Sequence, residues 1–239
     1  MTPDTAYPGM RLLLRIEENL DNYNEWIVAA FVAGAAGRLP AQAKVLDFGC
    51  GIGTLSRKFA ARTGLVPDGV ELDAAQRDMC RGRGIRCHAS LAEALPEYDV
   101  IFTSNVLEHI EDDRATLAAL RERLCPGGVL IVYVPAFMLL WTRMDANVGH
   151  FRRYTKRELA TKLEETGFRV VQARYFDSVG FGLAILFRLI GSRDGEPSSR
   201  SLALFDRYLV PASRVLDIVL SRILGKNVFA VAERVPAPR

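Results

Sequence analysis

Cysteine is sparse and irregularly placed, with only Cys50, Cys80, Cys87 and Cys125 among 239 residues. That pattern has neither the paired short spacing of a zinc site nor the density of a secreted disulfide scaffold, so a reducing cytoplasm is the expected location. Charge of one sign is also lacking: 31 Lys and Arg against 28 Asp and Glu leave a formal +3, and no chain-wide field selects nucleic acid. Long uninterrupted apolar runs are missing. The stretch 179–190 is apolar except for Arg188 but falls well short of the roughly 20 residues that cross a bilayer. The stretch 202–224 is long enough but carries Asp206, Arg207, Arg214, Asp217 and Arg222. The first 21 residues mix acids with apolar residues and lack a signal-like core, so secretion is not expected. No internal repeat is visible.

What the chain does have is 49% hydrophobic and 25% charged residues, the usage of an ordinary globular protein with enough length for one large core. From Lys44 onward, short apolar runs, Gly or Asp turns and amphipathic stretches alternate, as β and α elements of a parallel sheet do. The pattern predicts strands over 44–48, 69–72, 85–88, 99–103 and 129–134. Helices are expected over 54–62, 74–83 and 113–124, the last stopped by Pro126-Gly127-Gly128. A loop over 135–154 leads to a helix opened by Thr155 with Glu158 three residues later, a capping box, and closed at Gly167. A sixth strand is expected over 168–175 and a seventh over 227–235. Between them lies an apolar helical stretch broken by an exposed loop over 191–201, GSRDGEPSSRS. Residues 11–37 read as one or two helices folded over the sheet edge.

The most informative segment is Val45-Leu46-Asp47-Phe48-Gly49-Cys50-Gly51-Ile52-Gly53-Thr54, an apolar strand running through three alternate glycines into a helix. Glycines remove Cβ where a ligand lies against backbone, and a helix N-terminus offers free N–H groups. An ordinary strand-to-helix turn is the alternative reading. Asp47, just before the glycines, would meet a cationic group and repel a pyrophosphate, which points away from a dinucleotide. Glu71 ends the second strand 20 residues beyond Gly51, the separation of an acid that accepts hydrogen bonds from a ribose diol; a solvated strand-end acid is its plainer alternative. The segment 98–110, YDVIFTSNVLEHI, ends a buried strand in polar residues at the carboxyl edge, where open parallel sheets bind ligands.

With VLDFGCGIGTLS, GVELD, YDVIFTSNVLEHI and LCPGGVLIVYVP in this order, the chain resembles the class I S-adenosylmethionine-dependent methyltransferases, most closely over 45–135. The resemblance implies a doubly wound, mostly parallel seven-stranded sheet with an antiparallel last strand, N-terminal helices and a helical insertion before that strand. One domain over 1–239 is implied: a helical cover over 1–43, a cofactor-binding half over 44–135, and an acceptor-side half over 136–239 with its insertion at about 177–226. S-adenosylmethionine is the implied cofactor. Asp47, Gly49 and Gly51 would surround its methionine part, Glu71 its ribose hydroxyls, Leu72 its adenine, and Ser90 and Leu91 the adenine edge. Asn105 would lie near the reacting centre. Many relatives carry an Asp after the third strand, where this chain has His88-Ala89-Ser90-Leu91.

Methyl transfer from a sulfonium asks the protein mainly to align and desolvate the acceptor. Of three histidines, His109 and His150 are the candidate bases, each with a packing or loop-holding role as its alternative, and His88 reads as structural. Glu108, His109, Glu111 and Asp112 partly resemble a metal-assisted subgroup of quinone-ring methyltransferases that has Glu at the position of Asn105. With Asn there one anionic ligand is missing, and no metal is expected. Arg152, Arg153, Lys156 and Arg157 read either as a solvated run or as a site for an acceptor's phosphate or carboxylate. Tyr23 and Trp26 either cover the site or anchor the core.

The expected acceptor is a small molecule, hydrophobic or lipid-linked given the apolar insertion, methylated on oxygen or nitrogen. Surface attachment through an amphipathic helix is a weaker reading of the same feature. Alternatives are an RNA or protein methyltransferase and a non-catalytic S-adenosylmethionine-binding regulatory subunit. A nicotinamide oxidoreductase shares the glycine loop and Glu71 but predicts neither Asp47 nor the Glu108-His109 turn. The amino-group base-methylation signature, Asn/Asp-Pro-Pro-aromatic, is absent after Ser104, so nucleic acid is not an expected partner.

Overall fold

Alternating apolar residues along each short strand belong to two different cores. Val45, Val100, Phe102, Ile131 and Tyr133 enter one buried cluster while Leu46, Ile101, Leu130 and Val132 enter another, because successive side chains of a strand point to opposite faces. A sheet buried on both faces is the result, which is why these strands read as near-continuous apolar runs.

The computed structural model describes residues 9–189 and 198–235. Its strands are β1 (Val45–Phe48), β2 (Asp68–Val70), β3 (Cys87–His88), β4 (Tyr98–Ser104), β5 (Leu124–Pro135), β6 (Phe168–Phe176) and β7 (Asn227–Arg234). They form one sheet in the order β3-β2-β1-β4-β5-β7-β6, with β7 antiparallel to both its neighbours and the other pairings parallel. The doubly wound sheet with an antiparallel last strand is therefore present as expected. Strand order reverses direction between β1 and β4, so a crevice opens above their carboxyl ends.

The helices are α1 (Gly9–Asn19), α2 (Asp21–Gly34), α3 (Thr54–Thr63), α4 (Ala74–Gly82), α5 (Asp113–Glu122), α6 (Arg143–Asn147), α7 (Lys156–Glu165), α8 (Ser178–Leu189), α9 (Ser199–Leu204) and α10 (Val210–Leu220). α7 carries the expected capping box, Thr155 with Glu158. α1 and α2 cover the sheet edge, held by Glu17 to Arg83 at 2.7 Å and by Lys58 to Asp21 and Glu25. Among the described residues no helix is long and apolar enough to cross a membrane.

Three expectations need correction. β5 begins at Leu124 rather than 129, because Tyr98 pairs with Leu124 before an irregularity in β4 lets the Pro126-Gly127-Gly128 turn stay in the strand. A Cβ at Gly128 would stand 3.0 Å from the carbonyls of Asp99 and Cys125, so the close approach favours glycine. The expected loop over 135–154 contains α6, capped reciprocally by Thr142 and Asp145. Of the expected loop over 191–201, residues 191–197 lie outside the described residues, whereas Ser198 caps α9 by accepting from the Ser201 N–H at 3.1 Å. α9 runs through one π-helical segment, Phe205–Leu209, into α10.

Candidate functional site

Gly49, Gly51 and Gly53 have φ of +77°, +54° and +81°, which L side chains rarely adopt. The loop is stitched to β2: the N–H groups of Gly49 and Cys50 both donate to the Val70 carbonyl, at 2.8 and 3.1 Å. A Cβ at Gly49 would lie 2.2 Å from a Val106 methyl, so this glycine also lets the turn after β4 close on the loop. Glu71 completes the cradle. Its carboxylate accepts from the Gly51 N–H at 3.0 Å and the Asp73 N–H at 2.9 Å. A carboxylate accepts about four hydrogen bonds, so two directions remain for further donors such as a sugar diol.

Asp47 is buried and accepts from the Ser56 hydroxyl at 2.6 Å. Burial pushes its carboxyl up to about 7, with Cys87 and Glu71 adding to the shift and the Ser56 hydrogen bond opposing it. A cation beside it would restore its charge. Asn105 sits at the end of β4 with φ +53°, its N–H given to the Tyr133 carbonyl, its amide donating to the Ser104 hydroxyl at 3.3 Å and its side chain open. Leu72 is 82% exposed, an uncovered apolar face beside Glu71. Ser90 and Leu91 follow β3. The Ser90 hydroxyl donates to Glu93 at 3.2 Å, and Leu91 packs partly into the core.

A second group gathers beyond Asn105, on the 3-10 turn Leu107–His109 and the loop before α7. Glu108 is fully buried, with no hydrogen-bond partner for either carboxylate oxygen among the described residues. Burial lifts it to about 8, against the pull of its own backbone N–H and of Arg153. His150 Nε2 stands 4.0 Å from it. His150 Nδ1 faces Asp145 at 2.8 Å; Asp145 also accepts from Arg153 and Thr142. Despite burial, those partners hold Asp145 well below the usual carboxylate range. The His109 ring meets His150 edge-on at 4.5 Å between centroids. Burial, then His150, lowers the His109 pKa, leaving a neutral imidazole at physiological pH. The structure thus joins two candidate bases that are 41 residues apart in sequence.

Of the foursome Glu108, His109, Glu111 and Asp112, the first two come together, joined by His150 with ligand atoms within 4.8 Å of one another, while Asp112 caps α5 through the Ala115 N–H. Neither reading of the basic run describes Arg152 or Arg153. Arg152 pairs with buried Asp113 at 2.9 Å and Arg153 with buried Asp145 at 2.8 Å, so both charges are taken up inside the fold. Lys156 donates to the Arg222 carbonyl. Trp26 stacks on Phe176 at 3.9 Å in the core. Tyr23 belongs to a buried network that sequence reasoning missed: its hydroxyl meets that of Tyr133 at 2.8 Å, donates to Asp177 at 3.3 Å and accepts from Asn227 at 2.9 Å. Asp177, at φ +66°, accepts from Ser213, while Asp217 accepts the N–H groups of Asp177 and Ser178. The available signal was acids recurring within an apolar stretch, at 177, 206 and 217.

A family model described as a methyltransferase domain matches residues 20–173. A ubiquinone biosynthesis O-methyltransferase of Cereibacter sphaeroides is 36% identical over 128 residues, covering 47% of this chain and 49% of that protein. The chain thus spans about half the length of the curated relatives it matches. Among solved structures, a Haemonchus contortus phosphoethanolamine N-methyltransferase in complex with phosphomonomethylethanolamine and S-adenosylhomocysteine aligns with TM-score 0.64 at 17% identity, covering 98% of this chain and 59% of that one. A geranyl diphosphate C-methyltransferase of Streptomyces coelicolor aligns with TM-score 0.62 at 13% identity, covering 98% of this chain and 88% of that one. At such identities these two alignments speak for the fold.

Proposed function

Because this chain belongs to the methyltransferase-domain family whose model it matches over residues 20–173, we propose that it transfers a methyl group from S-adenosylmethionine to a small apolar or lipid-linked acceptor. The carrying observation is the junction of Gly51 with Glu71, which ties a left-handed glycine loop to a carboxylate that keeps free acceptor directions. Glu71 holds the ribose hydroxyls, exposed Leu72 lies against the adenine, and Ser90 and Leu91 border its edge. Gly49 and Gly51 leave room for the methionine part, whose ammonium pairs with Asp47. Asn105 borders the reacting centre.

The bound sulfonium supplies both the methyl group and its leaving group. The chain's residues align the acceptor, exclude water and take the acceptor's proton. His150 is suited to the last task, since Asp145 fixes its Nδ1 side and leaves Nε2 available; His109, kept neutral by burial, backs it. An oxygen acceptor needs that base during transfer, and an amine sheds its proton to it.

The acceptor class is argued from the insertion. α8 and α10 expose Phe187, Leu189, Ile218 and Val219, with Arg188, Arg214 and Arg222 nearby in sequence, a combination suited to an apolar chain or a lipid surface carrying negative charge. The test uses acceptors with the same phenolic head, with and without a long prenyl tail, and labelled S-adenosylmethionine. The tailed acceptor is expected to have at least a tenfold higher kcat/KM. Equal values for the two would overturn the apolar assignment, and no transfer to any acceptor would overturn the enzymatic one.

A further inference from the structure

Cys50, Cys80 and Cys87 come from three different elements, the glycine loop, α4 and β3, yet their sulfurs converge. Cys50 Sγ lies 3.6 Å from Cys80 Sγ and 3.4 Å from Cys87 Sγ, and all three sulfurs fall within 4.8 Å of one another. All three residues are buried, and the fourth buried hydrophobic of their cluster is Ile85. Two glycines make the space: a Cβ at Gly69 would stand 2.6 Å from Cys50 Sγ, and one at Gly53 would stand 3.0 Å from Cys80 Sγ and 2.7 Å from an Ile85 methyl.

We propose that these three thiols form a three-coordinate site for a soft, thiophilic metal ion of the copper(I) type, seated beneath the glycine loop. Sulfurs at about 2.3 Å from a shared ion stand roughly 3.7–4.0 Å apart, so the 3.6 and 3.4 Å spacings from Cys50 need an outward shift of only a few tenths of an ångström, and the Cys80 and Cys87 sulfurs, within 4.8 Å, close the triangle. Thiolate donors select soft ions. Zinc in structural sites takes four ligands, whereas the metal-suited group here consists of three sulfurs with no nitrogen or oxygen member.

The local charge is mixed. The Arg81 guanidinium donates to the Cys87 carbonyl at 2.7 and 3.0 Å and Arg77 lies nearby, while buried Asp47 opposes ionisation of Cys50 and Cys80. Within the trio, hydrogen bonds from Cys50 and Cys80 pull the Cys87 thiol below its ordinary value, and Arg81 and Arg77 add to that against burial. Binding displaces the thiol protons to solvent and transfers no electron. Cys125 lies elsewhere, against Asp99, and serves as the internal control.

The test is an anaerobic titration of the reduced full chain with copper(I) in competition with a chromophoric copper(I) chelator. One ion per chain is expected, with three sulfurs at about 2.3 Å by X-ray absorption. Cys50→Ala, Cys80→Ala and Cys87→Ala should each weaken binding at least a hundredfold, and Cys125→Ala should leave it unchanged. If the alanine variants fail to fold, the wild-type absorption spectrum and a ligand-induced rise in its Tm carry the test. Sub-stoichiometric binding, undiminished affinity in folded Cys80→Ala, or a preference for zinc with a fourth nitrogen or oxygen ligand would each overturn the proposal.

Discussion

Lowering the pH from 7 to 5 probes Asp47 in its assigned role opposite the ammonium of the bound nucleoside. In the free protein burial holds this carboxyl at about 7, above its ordinary 3.8. Pairing with a cation requires the ionised form, so below that pKa binding must expel a proton, and affinity falls as pH drops. If pairing returns the group to its ordinary value, the protonation penalty grows from about twofold at pH 7 to about a hundredfold at pH 5. That is a net loss of about 50-fold, or a little over 2 kcal/mol at about 1.4 kcal/mol per tenfold. The window lies below the titration of an α-amino group, near 8, so the ligand keeps its charge throughout. Isothermal calorimetry with S-adenosylhomocysteine, run in two buffers of different ionisation enthalpy, counts the protons directly. Release should rise from about half a proton at pH 7 towards one at pH 5. Asp47→Asn separates this carboxyl from any other titrating group: its affinity should be weak at pH 7 and nearly independent of pH. A flat wild-type profile, or a slope that survives in Asp47→Asn, refutes the assignment.

Glu71→Ala removes the acceptor of the Gly51 and Asp73 N–H groups and should weaken S-adenosylhomocysteine binding by about 1–3 kcal/mol. A dideoxyribose analogue should lose little further affinity in that variant, and an undiminished additional loss would remove Glu71 from the sugar. Gly49→Ala forces a side chain at φ +77° against Val106 and should lower Tm by several degrees, with Val106→Ala in the same chain recovering part of it; a neutral Gly49→Ala would contradict the packing. Glu108 has a folded pKa of about 8 against an ordinary 4.5, so its stabilising contribution is complete below 4.5 and is lost as pH rises through 8. Urea denaturation should therefore show Glu108→Gln gaining on the wild type between pH 5 and 9, by up to about 4 kcal/mol before any relaxation, whereas a pH-independent difference would mean that Glu108 is solvated.

The glycine loop, the acid beside it and the cap of α7 were legible because their signals are local. A glycine loop between strand and helix, an acid at a strand end and a capping box all act within a few residues, and the structure displays Gly49, Gly51, Glu71 and Thr155 accordingly. What escaped was carried by contacts distant in sequence. Arg152 and Arg153 looked like a surface run because their partners Asp113 and Asp145 are joined to them only by folding. Cys50, Cys80 and Cys87 have no motif spacing, yet a crossover from the loop through α4 to β3 brings them together. The acids of the insertion argued against a bilayer span, but their positive task of satisfying backbone N–H groups at Asp206 and Asp217 required knowing which helix ends meet them. The bounds of β5 moved because a strand irregularity, invisible to periodicity, absorbs Pro126-Gly127-Gly128.

A crystal structure with S-adenosylhomocysteine bound tests the account most directly. The ribose hydroxyls should fall within about 2.7 Å of the Glu71 carboxylate, with the amino-acid end between Gly49 and Asp47 and the sulfur facing Asn105. A nucleoside bound away from the glycine loop, or one whose ribose avoids Glu71, would contradict it.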